Sequence, residues 1–185
     1  MLRQLILVVS RPTRILLAEN ASEENMLIMI LLVYYTSAAQ RPSKVVKFDF
    51  FLIHTVNSSI FFSKILALPF LTTRAKLRLL EMKGRMDLLM YISRNTPELY
   101  VDEITRYPVK NDWNTVISHG NMHPHDDGHL SKLVRALKNG ESVCRPFEGQ
   151  AKERGLKITG DMWLRIGNMG KFVIPLLQRL LIFGC

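Results

Sequence analysis

Three of the five histidines in this 185-residue chain fall within seven residues, in the segment HPHDDGH at positions 123–129. Asp126 and Asp127 belong to the same segment. Imidazole and carboxylate groups are the usual protein ligands of zinc and non-heme iron, and they also carry protons in catalysis. The residue types in this segment therefore indicate a site for metal binding or proton transfer.

The segment leads into a predicted helix over residues 126–137, capped by one of the two aspartates and ended at Asn139-Gly140. At 100° per residue, His125, His129 and Lys132 share a narrow face of this helix. That face lies beside an apolar stripe formed by Leu130, Leu133, Val134 and Leu137. The spacing lacks the HExxH pattern of zinc enzymes, and by itself it is more typical of capping and solvated residues than of a metal site. Periodicity alone makes Lys132 a solvated lysine.

His54 is the second candidate, because it lies within the long apolar stretch KFDFFLIHTVNSSIFFSKILALPF at residues 47–70. A helix that is apolar nearly all round is predicted to be buried on most sides. A buried histidine needs a hydrogen-bond partner or a ligand role, and Asn57 or Ser58 could supply the bond. Both a satisfied core histidine and a metal ligand remain open. His119 and His123 are predicted to lie in loop.

The elements that must position these histidines are predicted to be helices. Residues 23–38 are predicted to form a buried helix. Residues 72–93 are predicted to form an amphipathic helix with Lys83 toward solvent and with six apolar residues able to face the core: Leu77, Leu80, Met82, Met86, Leu89 and Met90. Short helices are predicted from Thr96 and over residues 112–118, and a last one over residues 161–168. Residues 141–160 are polar and read as a surface loop. The predicted fold class is all-α, an irregular helical array.

Composition narrows the possible partners and compartments. The formal net charge is +9, but the basic residues are scattered and no nucleic-acid-binding motif accompanies them, so no nucleic-acid partner is expected. The longest apolar run, residues 26–35, is far shorter than the ~20 residues that span a bilayer, so no membrane span is expected. Two cysteines without a CxxC pair favour a reducing compartment, the cytoplasm. No GxSxG, Walker or GxGxxG motif is present, so a Rossmann-type site for NADPH or flavin is not predicted.

Four segments together resemble a known family: FDFFLIHTVNSSIFFSKILALPF, KLRLLEMKGRMDLLMYISRNTPELYVDEITRY, HPHDDGHLSKLVRALKNGE and GDMWLRIGNMG. They are similar to the C-terminal part of the fungal questin oxidase-like proteins, relatives of the aflatoxin-pathway Baeyer–Villiger-type oxidase. The resemblance covers residues 47–170. It leaves residues 1–46 as an N-terminal helical segment without a match and residues 171–185 as a divergent apolar tail. It thereby implies an incomplete domain.

The resemblance implies an α-helical oxidoreductase, a monooxygenase or dioxygenase, that acts on small polyketide-derived aromatics such as anthraquinones in fungal secondary metabolism. It implies NADPH as electron donor in some members and non-heme Fe(II), held by histidines and a carboxylated lysine, in at least one. By position, His54, His129 and Lys132 are the implied metal ligands, with His125 a weaker candidate because the family varies there. No catalytic residue is assigned, and the oligomeric state stays open. The alternative is a catalytically inactive fragment that acts at most as an interaction module.

Overall fold

The computed structural model describes residues 21–40, 42, 44–123 and 128–170 of the chain. Within these ranges the backbone is helical and contains no strand, which confirms the all-α class. The first 20 residues of the predicted N-terminal segment, the predicted apolar tail over residues 171–185 and His125 lie outside the described residues. The α-helices are α1 Ala21–Ala38, α2 Phe50–Ile65, α3 Thr73–Ser93, α4 Val101–Thr105, α5 Trp113–Met122, α6 His129–Cys144, α7 Glu148–Glu153 and α8 Met162–Met169, with a 3-10 turn Arg145–Phe147 between α6 and α7.

Helix α1 is the centre of the fold. Every residue from Asn25 to Ala38 is buried, because α2, α3, α4 and α6 all pack around this helix. The sequence predicted a buried helix here, and the structure confirms it. None of the described helices is both long enough and apolar enough to cross a membrane.

Contacts between α1 and α2 show that the two helices run in opposite directions. The Thr36 hydroxyl near the end of α1 donates to the Leu52 carbonyl near the start of α2, and Ser59 lies against the Met29 sulfur. Helix α3 runs parallel to α1, since Tyr35 stacks on Tyr91 with ring centroids 4.6 Å apart and Gly84 lies beside Ile28.

Helix α6 runs parallel to α2 along a shared interface. The rings of His54 and His129 meet near the starts of the two helices, and Ser63 bonds the Asn139 side chain about ten residues further along both. Parallel packing of two helices in register therefore brings their amino-terminal ends to the same end of the fold. The apolar stripe predicted on α6 is buried as expected, with Leu130, Leu133, Val134 and Leu137 each at most 2% exposed.

The predicted end of α6 at Asn139-Gly140 is wrong, because the helix continues to Cys144. A Cβ atom on Gly140 would lie only 2.5 Å from the indole of Trp163, so this glycine serves close packing of α8 on α6. The predicted surface loop over residues 141–160 is also wrong. It contains the end of α6, the 3-10 turn and α7, and it buries Ala151, Leu156 and Ile158.

Helix α3 begins where the sequence predicted, with the Thr72 side chain accepting a hydrogen bond from the Ala75 amide. Its orientation differs from the prediction. Lys83 and Asp87 are buried on the face toward α1 and α2, whereas Met82 and Met86 point outward. Both faces of α3 carry apolar side chains at helical spacing, so only the positions of the neighbouring helices decide which face is covered.

Candidate functional site

His54 lies in the second turn of α2, on its outward side. The helix starts at Phe50 because Asp49 caps it, accepting hydrogen bonds from the Phe51 and Leu52 amides. Arg94 donates to the second oxygen of the Asp49 carboxylate at 2.8 Å and so ties the start of α2 to the end of α3. The prediction that His54 is buried is wrong: its side chain is exposed, whereas its neighbours Ile53 and Thr55 are buried.

His129 is the first residue of α6 and is partly buried. Gly128 precedes it with φ 92°, a left-handed conformation that residues other than glycine rarely adopt. Helix α6 begins at His129, and the predicted cap residues Asp126 and Asp127 lie outside the described residues, so the aspartate cap stays a prediction.

The structure brings His54 and His129 together across 75 residues of sequence. Their ring centroids lie 5.1 Å apart with the ring planes nearly perpendicular, at 86°. Phe50, one turn before His54 on α2, packs on both imidazoles, with centroid distances of 4.6 Å to His54 and 4.9 Å to His129. The three rings form a compact triangle at the amino-terminal ends of α2 and α6.

The separation of the two imidazoles fits ligation of a single metal ion. With a metal–nitrogen bond near ~2.1 Å, a ring centroid lies roughly 3.2 Å from the metal. Two centroids 5.1 Å apart then subtend an angle of about 105° at the metal, between the octahedral and tetrahedral values. Phe50 limits the rotation of both rings and shields one side of the pair from water.

Lys132 lies one turn after His129 on α6 and is exposed. Its amide donates to the Gly128 carbonyl, and its ammonium nitrogen lies about 4.0 Å from the position that a Gly128 Cβ would occupy. The side chain therefore folds back along α6 toward the end that carries His129. This placement is compatible with a third ligand from Lys132, and it is equally compatible with a solvated lysine.

His119 and the polar neighbours Asn57 and Ser58 do not join the pair. His119 lies within α5 and not in the predicted loop, and it is exposed. The Ser58 hydroxyl donates to the Thr55 carbonyl, and both polar side-chain atoms of Asn57 are buried without a hydrogen-bond partner among the described residues. Neither therefore supplies the bond that the sequence suggested for His54. No group of three or more histidine, cysteine or carboxylate side chains in the described part of the chain could hold a metal ion.

A cavity of about 270 Å³ lies at the opposite end of α6, between Trp113 and Trp163. Its carboxylates are engaged within the fold: Glu141 pairs with Lys138, and Asp161 pairs with Arg165. Cys144 also lines the cavity, and burial raises the pKa of its thiol to about 12, which keeps it protonated and unreactive. The cavity therefore lies apart from the histidine pair and offers no free ligand for a metal.

Two features near the site were missed by sequence reasoning. Phe50 was read only as part of an apolar helix, although its position four residues before His54 places both on one helix face. Lys83 and Asp87 form an ion pair that is 8% and 6% exposed, and Lys83 also donates to the Thr55 carbonyl beside His54 at 3.0 Å. Their spacing of four residues is a signal for an ion pair, but it does not show burial.

The sequence of this chain matches a known protein family. A sequence profile described as questin oxidase-like matches residues 13–137, which is more than half of the chain. The chain belongs to the questin oxidase-like family. The profile covers residues 13–137, whereas the sequence analysis placed the resemblance at residues 47–170. The division of the chain at residues 46 and 170 therefore stays a prediction.

Individual relatives align with about three quarters of this chain. A Baeyer–Villiger oxidase of Pestalotiopsis fici is 43% identical over 140 residues, which are 74% of this chain and 31% of the relative. A questin oxidase of Aspergillus fumigatus is 40% identical over 138 residues, 74% of this chain and 31% of the relative. An oxidoreductase of Aspergillus parasiticus is 37% identical over 139 residues, 74% and 27% respectively. The chain thus spans about a third of the length of the relatives it matches.

Proposed function

We propose that this chain carries part of the active site of an oxidoreductase that acts on polyketide-derived aromatics such as anthraquinones. The proposal rests on membership of the questin oxidase-like family and on the names of its relatives, which are questin oxidase and Baeyer–Villiger oxidases. The observation that carries it is the His54–His129 pair. Two helices of the matched region hold the imidazole rings with their centroids 5.1 Å apart.

In this proposal His54 and His129 hold a ferrous ion, with Lys132 as a third ligand once its amine is carboxylated. Neutral imidazoles suit ferrous iron, and a lysine carbamate would supply an anionic oxygen in the place of a carboxylate. The bound iron would supply the capacity to activate oxygen. Phe50 keeps the two rings at their separation and excludes water from one side. His125, in the adjoining segment, is a further candidate ligand.

The electron donor is a separate part of the proposal. NADPH serves if the reaction is of the monooxygenase type, and these 185 residues, which contain no GxGxxG motif, would not supply a Rossmann site for it. A dioxygenase-type reaction needs no such donor. Turnover of an anthraquinone with and without NADPH distinguishes the two.

Iron titration tests the ligand assignment. Purified chain is loaded anaerobically with ferrous iron, desalted and analysed for metal content, in parallel with His129→Ala and His54→Ala. We expect near-stoichiometric iron in the parent chain and loss of most of the iron in either variant. The proposed site has few protein ligands, so removing one of them should weaken iron binding strongly. His119→Ala is the matched control, because His119 is an exposed histidine outside the pair and its loss should leave the iron content unchanged.

The second candidate function is a catalytically inactive fragment that keeps the histidine pair without turnover. It is favoured by the chain's coverage of only about a third of its relatives. Stoichiometric iron with no oxidation of an anthraquinone would support it. An iron content near zero in the parent would refute iron binding by these residues.

A further inference from the structure

A continuous apolar stripe runs along the outward face of α3. It consists of Leu79, Met82, Met86 and Leu89, which we call the outer stripe, and these side chains are between 36% and 61% exposed. Their spacing of three, four and three residues repeats over three turns of the helix. Single exposed apolar residues are common on proteins, but a contiguous stripe of long side chains marks an interaction surface.

The helices in the described part of the chain do not cover the outer stripe. The buried side of α3 carries Leu80, Lys83, Asp87 and Tyr91, which face α1 and α2. At 100° per residue, the centres of the two faces lie roughly 125° apart around the helix axis. The outer stripe therefore points away from the helices that hold α3 in place, and it is open to a further helix.

One flank of the outer stripe is positively charged, because Arg74, Arg78 and Arg85 all lie on the same side of it at 100° per residue. Arg74 and Arg78 have no ion-pair partner among the described residues, whereas Arg85 pairs with Glu81. Apart from the buried Lys83–Asp87 pair, α3 carries Lys76, three arginines and one glutamate, so its net charge is +3. An apolar stripe with a basic flank complements a helix that carries an apolar stripe and acidic side chains beside it.

Charge argues against an occupant from this chain. Residues 1–20 contain three arginines and one glutamate, and residues 171–185 contain Lys171 and Arg179 without an acidic side chain. A second copy would bring another α3 with the same charge of +3 against the first. The relatives are about three times as long as the region they share with this chain, so they contain ample protein beyond it.

We propose that the outer stripe binds an acidic amphipathic helix that comes from outside these 185 residues. Leu79, Met82, Met86 and Leu89 insert between the apolar side chains of that helix, and methionine suits this role because its flexible side chain adapts to the partner. Arg74 and Arg78 supply attraction for its acidic flanks. This surface is independent of the histidine pair, so the inference does not rest on the proposed function.

A pair of synthetic peptides tests the proposal with the full chain. Both are labelled helical peptides with leucine at the same stripe spacing, one flanked by glutamate and the other by lysine, and binding is followed by fluorescence anisotropy. At ~0.05 M salt we expect the acidic peptide to bind at least about tenfold more tightly than the basic one. At ~0.5 M salt the difference should shrink, because the charges are then screened.

Substitutions locate the binding surface. Met86→Glu should weaken binding of the acidic peptide at least about tenfold. Val109→Glu is the matched control, since Val109 is 41% exposed in the segment between α4 and α5, away from the outer stripe. Both positions are exposed, and circular dichroism checks that the helical content is unchanged.

Three outcomes would overturn the proposal. The first is equal binding, or no binding, of the two peptides to the parent chain. The second is an acidic peptide that binds Met86→Glu as well as it binds the parent. The third is a dimer of the parent in sedimentation velocity that Met86→Glu abolishes, because the occupant would then be a second copy of the chain.

Discussion

The buried pair of Lys83 and Asp87 allows a sharp test of how α3 is oriented. The Lys83 ammonium contacts both oxygens of the Asp87 carboxylate at 2.5 Å and donates to the Thr55 carbonyl at 3.0 Å. Burial raises the pKa of Asp87 to about 6 and lowers the pKa of Lys83, because desolvation outweighs their mutual attraction. Each charge is therefore tolerated inside the fold only because the other is present.

Removing one partner is expected to be costly. In Lys83→Met the buried Asp87 carboxyl loses its counter-charge and must take up a proton at pH 7. An ordinary carboxyl has a pKa of 3.8, so protonating it at pH 7 costs about 4 kcal/mol, at ~1.36 kcal/mol per pH unit above that pKa. The value agrees with the roughly 3–5 kcal/mol typical of a broken buried pair. We expect Asp87→Leu, which strands the ammonium, to destabilise the fold by a similar amount.

The double variant Lys83→Met/Asp87→Leu should recover most of this loss. Apolar replacement of a buried ion pair is often neutral or stabilising by about 1–4 kcal/mol. The Thr55 carbonyl keeps a donor in the double variant, since the Ser58 hydroxyl also bonds it at 2.9 Å. Urea unfolding followed by circular dichroism measures all four proteins.

The pH dependence supplies an independent measurement of the same pair. Because the folded-state pKa of Asp87 is raised, its contribution to stability is fully present below about pH 4 and is lost as the pH rises through about 6. The free energy of unfolding of the parent should therefore fall over this interval by on the order of 3 kcal/mol, and the double variant should lack that fall. Single variants that each lose less than about 1 kcal/mol would show that the pair is solvated and that α3 faces the other way.

Two further predictions concern packing elsewhere in the core. Gly140→Ala should lower the free energy of unfolding by about 1–3 kcal/mol in urea, because the alanine methyl group would collide with the Trp163 indole. A decrease below about 0.5 kcal/mol would contradict the close packing of α6 on α8. Tyr35→Phe should be neutral or stabilising by up to about 1 kcal/mol, since the buried Tyr35 hydroxyl has no hydrogen-bond partner among the described residues. Tyr91→Phe is the comparison and should cost about 1 kcal/mol, because the Tyr91 hydroxyl donates to the Pro97 carbonyl.

Local signals in the sequence predicted several helices well. Thr72 and Asp112 are the predicted first residues of two helices, and in the structure their side chains cap those helices. Helix α8 begins within a residue of the prediction. The apolar stripe of α6 was also predicted correctly, because Leu, Val and charged residues alternate there with a clear helical period. These features depend on residues that are close together in the chain, so they can be recognised from the sequence.

Predictions failed where a residue had two plausible environments. Gly140 follows an asparagine and resembled a helix end, but the approach of Trp163 requires a glycine within the helix. Lys83 resembled a solvated lysine, and its burial depends on where α1 and α2 lie. Short helix α4 begins at Val101, later than the start predicted at Thr96, because residues 95 and 96 adopt positive φ angles that interrupt a helix.

By itself the sequence determined the all-α class, the periods of the principal helices and the histidines and lysine whose chemistry suits a metal. Helical period and capping are local properties, so they can be read from neighbouring residues. Only the tertiary structure decided that His54 and His129 meet, since their contact depends on α2 and α6 packing in parallel across 75 residues. It also decided which apolar face of α3 is covered and which remains available, because burial is a property of the neighbours and not of the helix.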